Sequence, residues 1–150
     1  MTTDLLLAIA HNVIIFVLMA LIIVELTVML RGVTGTEITL LARLDGALGL
    51  SAVLILVVGF LRVFLGAKPE AFYLENPLFW AKIAALVVVG LLSIVPTTRF
   101  IRWARSASAD PTFLPAADEA ATVRRYLVME ASAFLLIPLF ASLMARGYGL

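Results

Sequence analysis

Residues 5–30 read LLLAIAHNVIIFVLMALIIVELTVML, an apolar run interrupted only by His11, Asn12, Glu25 and Thr27. A helix of about 20 residues crosses the hydrocarbon of a bilayer, so this stretch predicts a membrane span. Ionisable groups are costly in hydrocarbon, and those found there usually face a protein interior, a partner or a water-filled cavity. His11, the single histidine of the chain, and Glu25 are therefore the first candidates for function.

Three further apolar segments follow, at about 46–65, 78–95 and 123–145. The 150-residue chain is 63% hydrophobic and 14% charged, with a mean hydropathy of +1.13. Soluble domains have roughly half apolar and a quarter charged residues, so this is the composition of an integral membrane protein. The expected fold is all-α, a four-helix transmembrane bundle forming a single integral membrane domain over residues 1–150. MTTD, ahead of the first span, carries no Lys or Arg, and the apolar run is long for a leader, so that span is expected to remain as a helix. With no cysteine, thiolate metal sites, iron–sulfur clusters, covalent c-type haem attachment and dithiol chemistry within the chain are excluded.

Charge is distributed unevenly along the sequence. Arg31, Arg43, Arg99, Arg102, Arg105, Arg124 and Arg125 fall in or beside the first and third connections, against Lys68 and Arg146 on the other side. Lys and Arg near span ends favour the cytoplasm, which predicts both termini outside and the Arg-rich connections inside. Phe72, Tyr73, Trp80 and Tyr148 would form an outer aromatic belt, and Trp103 and Tyr126 an inner one. RFIRWAR is read as a membrane-face anchor, with no nucleic acid as partner. The residues GVTGTEITLLARLD form the first connection, with an interfacial turn running into the second helix. RSASADPTFLPAADEAAT is the most loop-like stretch, and its Asp118 and Glu119 complement the N-terminus of the fourth helix. Pro138 withdraws a donor from the Phe134 carbonyl and is expected to kink that helix.

Threading the spans in this orientation sorts the polar side chains by depth. His11 and Glu25 lie two heptads apart, about 21 Å along one face of the first helix. An outer layer gathers His11, Arg62, Lys82 and Met144. An inner layer gathers Glu25, Arg43, Asp45, Arg99 and Glu130, where pairing of Glu25 or Glu130 with Arg43 or Arg99 would tie helices together and the carboxyls could alternatively form a proton pathway. The outer set has the chemistry of a haem b site. His11 would be the axial ligand and metal-binding residue, Met144 or Lys82 would stand opposite, and Arg62 would meet the propionates. One histidine per chain supplies one imidazole, so two-histidine ligation would require a second copy.

Several blocks together resemble the membrane protein family known as domain of unknown function 2214. They are His11 followed by Glu25, ARLDGALGLSA (42–52), GFLRVF (59–64), YLENPLFWAK (73–82), GLLSIVPTTRFIRW (90–103) and MARG (144–147). The resemblance implies a small multi-pass protein of the bacterial inner (plasma) membrane and brings no activity with it. A more distant similarity is to the bacterial membrane-bound protoporphyrinogen oxidase and to the layout of copper-resistance membrane proteins. It implies haem or porphyrin chemistry at His11, Trp80 and Lys82. Three functions are carried forward: a haem- or porphyrin-binding protein of electron transfer or porphyrin oxidation, a non-enzymatic accessory or scaffold subunit, and a small proton-coupled transporter using Glu25 and Glu130. The expected partners are the lipid bilayer and a homo-oligomer or larger membrane complex.

Overall fold

The computed structural model describes residues 2–149. Six helices follow one another: α1 (Thr2–Arg31), α2 (Gly35–Leu65), α3 (Glu70–Leu74), α4 (Pro77–Ala109), α5 (Ala117–Phe134) and α6 (Leu136–Ala145). Four units are long and apolar enough to cross a membrane: α1, α2, α4 and the α5–α6 pair. α1 packs most extensively on α2, and α4 on α5 and α6.

Three helices are longer than their apolar runs. α2 begins at Gly35, well before residue 46, because Thr34 and Glu37 form a capping pair in which the Thr34 N–H donates to Glu37 Oε2 at 3.0 Å. The first connection is thereby reduced to three residues. α4 runs through the buried Pro96 and the basic RFIRWAR stretch to Ala109. A proline is accommodated in a membrane helix when neighbouring helices satisfy what it frees. The fourth span starts at Ala117, not near residue 123, and is interrupted at Leu135, three residues before Pro138. At about 1.5 Å per residue, α4, with 33 residues, measures about 50 Å, so it extends well beyond the hydrocarbon. After it, Asp110 accepts from Thr112 Oγ1 at 2.7 Å and from the Thr112 N–H at 2.8 Å, bonds that hold this exposed carboxyl below the usual carboxylate range.

Large side chains on the outside, among them Phe16, Phe60 and Leu91, are exposed, as expected of lipid-facing positions. The interior divides by depth. Leu18, Ile22, Ile55, Val89, Phe134 and Ile137 belong to the central apolar cluster. Toward the arginine-rich end, Met29, Ile38, Leu41, Phe100, Trp103 and Leu127 pack together, drawing on all four spans. Trp103 is fully buried there, which corrects its expected place in an interfacial belt. Its indole is aimed inward by an acceptor, Glu119, on α5.

The opposite end is closed by polar ties. Asp4 accepts from the Ala67 N–H at 3.1 Å. Asn76, fully buried, accepts the Leu78 N–H at 2.9 Å as the cap of α4 and donates to the Tyr148 carbonyl at 3.1 Å. Asp4 of α1 and Tyr148, beyond α6, are thus both tied to the segment between α2 and α4. Asn76→Ala removes the cap and a buried donor together, and is expected to cost about 2 kcal/mol of stability, seen as a lower unfolding midpoint in detergent.

Candidate functional site

His11 sits about three turns into α1, Arg62 one turn from the end of α2, Lys82 in the second turn of α4 and Met144 at the end of α6. The fold brings all four to the wall of one cavity of about 580 Å³. The floor is apolar, with Leu18, Ile55, Phe134 and Ile137. Pro138 also lines it, beside the interruption that separates α5 from α6.

His11 packs against α2 at Gly59, where a Cβ would lie 3.6 Å from His11 Cε1 and 3.9 Å from Nδ1. The absence of a side chain at Gly59 lets the ring approach α2 this closely. Nδ1 is buried without a hydrogen-bond partner, and so is Nε of Arg62. Lys82 Nζ lies 5.2 Å from the Phe79 ring centroid, and Lys68 Nζ 3.6 Å from that of Phe72, within the range of cation–π attraction. The cavity wall therefore carries Arg62, Lys68 and Lys82, and among the described residues no Asp or Glu lines it.

The carboxyl layer is separate from this cavity. Glu25 on α1, Asp45 on α2 and Glu130 on α5 are all buried. α4 presents two hydroxyls to them: Thr97 Oγ1 donates to Asp45 Oδ1 at 2.7 Å, and Ser93 Oγ lies 2.5 Å from Glu130 Oε1. Both oxygens of Glu25 and Oε2 of Glu130 have no partner. The expected pairing with Arg99 or Arg43 does not form. Arg99 is partly exposed and turns to Glu119, which also holds Arg102, and these are the ion pairs among the described residues. Arg43 lines a shallow groove with Thr36, Glu37, Thr39 and Leu40. Glu119 wins Arg99 because it lies in the first turn of α5, where the guanidinium keeps contact with water, whereas reaching Glu25 would desolvate it.

The model of the family described as "Predicted membrane protein (DUF2214)" matches residues 3–149. The chain belongs to that family. No curated protein and no solved structure matches it.

In this DUF2214 chain the sequence reading left Ser93 and Thr97 unnamed, and placed Lys68 and Glu119 in connections without assigning them to either polar layer. Ser93 and Thr97 are four apart in SIVPT, which sets two hydroxyls on one helix face, a readable signal. Glu119 carries its own signal as the first-turn acid of α5, but its two arginines and Trp103 come from another helix and are fixed only by packing.

Proposed function

We propose that this DUF2214 protein is a membrane-embedded binding protein for an apolar ligand carrying negative charge, with haem b or another porphyrin as the ligand class. The single observation behind the reading is a mainly apolar cavity of about 580 Å³ whose wall, among the described residues, holds one histidine, three cations and no acid. Ligand pockets of this kind are mostly apolar with a few convergent polar groups, and their volumes fall in the same range. Free of a protein partner at Nδ1, His11 is available as a nitrogen ligand, and Met144 or Lys82 would be a second candidate ligand from the same cavity wall. Arg62, Lys68 and Lys82 would receive the carboxylates of the ligand, orienting its polar edge toward the end of the bundle that holds the α2–α4 connection. When bound, haem would supply a redox-active iron, and an electron-transfer or porphyrin-oxidising role follows from that chemistry. In this reading the arginine-rich end faces the cytoplasm of a bacterial inner membrane, which sets the cavity on the outer side.

The test is a haem titration of the purified full chain in detergent, read by the Soret and α bands in reduced and oxidised forms. Saturable bands that disappear in His11→Ala, with the variant still folded, are the expected result. A protein that takes up no haem at any concentration below that of non-specific partition, or one whose bands are indifferent to His11, would sink the haem reading.

A further inference from the structure

The carboxyl layer, outside the cavity, calls for a ligand of its own. Glu25 is completely buried, and neither of its oxygens has a partner. The acids Asp45 and Glu130 are close enough to Glu25 to act on its charge. Among the described residues the helices that surround it offer no counter-charge: Arg99 on α4 is committed to Glu119, Arg31 is exposed at the end of α1, Arg124 and Arg125 are exposed about two turns into α5, and α6 carries no charged side chain. Arg43 lies in the surface groove of α2. Like charges at short range in a medium of low dielectric repel strongly, and removing each ion from water adds to that cost. Three anions cannot share this interior, so charge has to be balanced by something bound.

The hydrogen count around Ser93 points to a proton. Ser93 has a single hydroxyl hydrogen, yet its Oγ lies 2.5 Å from Glu130 Oε1 and 3.3 Å from the Val89 carbonyl, two acceptors for one donor. A proton on Glu130 satisfies both contacts: the acid donates to Ser93 Oγ, and Ser93 donates to the Val89 carbonyl. No group of three or more acidic or histidine side chains among the described residues is placed to surround a metal ion, which argues for the proton over a metal cation. Asp45 alone of the three keeps some surface, 7% against 0% for Glu25 and Glu130.

We infer that Glu25, Asp45 and Glu130, with Ser93 and Thr97, form a proton-exchange site inside the bundle, loaded and emptied through Asp45. In loading, a proton passes from water to the Asp45 carboxylate, and the buried acids redistribute it; in emptying, the same O–H bond breaks and the proton returns to water. Pro96, buried between Ser93 and Thr97, has no N–H and leaves the Leu92 carbonyl without its helical donor at this level.

Infrared difference spectra of the full chain in lipid nanodiscs, recorded across a pH titration, test the inference. Protonated-carboxyl C=O bands, shifted in deuterated water, are expected at neutral pH, with loss of one band in Glu25→Gln and of another in Glu130→Gln. Asp45→Asn, which preserves shape and can still accept from Thr97, is expected to slow deuterium exchange of the remaining bands and serves as the reading if a glutamate variant fails to assemble. Absence of such bands at neutral pH, or bands unmoved by all three substitutions, overturns the site. Bands abolished by sodium at constant pH would replace the proton with a metal cation, and unchanged exchange in Asp45→Asn would overturn the entry route.

Discussion

Trp103→Ala is expected to destabilise the protein by about 3 kcal/mol, toward the lower end of the usual loss for a buried aromatic. Trp103 has no exposed surface, meets Phe100 edge-on at 5.8 Å between centroids and belongs to a cluster that draws on every span. In a bilayer, separated helices rest in a solvent as apolar as the core, so the transfer part of the cost shrinks, and lost dispersion contacts and the cavity remain. To these is added the indole N–H, which donates to Glu119 Oε2 at 3.0 Å. Trp103→Phe retains most of the packing and is expected to cost about 1–2 kcal/mol for the lost charge-assisted bond. The two contributions separate in a double-mutant cycle with Glu119→Gln, measured as unfolding midpoints in mixed micelles followed by circular dichroism. A coupling near zero between Trp103→Phe and Glu119→Gln would show that the indole bond is replaced by water at no cost.

Glu119 explains why part of the interior was legible in the sequence and part was not. Depth is readable: fixed rise per residue sets His11 level with the end of α2 and the start of α4, so the expected company of His11, Arg62, Lys82 and Met144 follows from counting along antiparallel helices. Rotation is a different matter. α1 is apolar all round, so its pattern does not say which stripe faces inward. Arg99 was expected to turn toward the acids and instead turns to α5. The difference is one of helix rotation and of a cheaper partner near water, and neither is written in local spacing. Trp103 illustrates the same point, since a tryptophan at a span end suits an interface until a neighbouring helix offers its N–H an acceptor. The start of α2 was not read from the sequence, which places it near residue 46: Thr34-Gly-Thr-Glu37 carries a capping-box pattern, but the polar stretch around it reads as a loop.

The cavity offers a sharper test through its cations. Arg62→Ala with Lys82→Ala is expected to weaken binding of a metal-free dicarboxylic porphyrin by a hundredfold or more, roughly 3 kcal/mol, from the loss of two charge-assisted contacts. His11→Ala is expected to leave that affinity nearly unchanged, because a metal-free ring offers no iron to ligate, while abolishing the haem bands. Fluorescence quenching of the porphyrin measures the first effect and visible spectra the second. The stability of the empty protein should move the opposite way. Arg62 and Lys82 repel each other across the cavity, and neither pairs with a carboxylate. Removing them therefore strands no buried acid and relieves like-charge repulsion, so the double variant is expected to unfold at an equal or higher temperature. Residues kept for packing lose stability when truncated, whereas residues held in place for a ligand lose affinity and gain stability. A double variant that binds porphyrin as tightly as the parent, or that unfolds earlier, would mean these two cations anchor helices and do not hold a ligand.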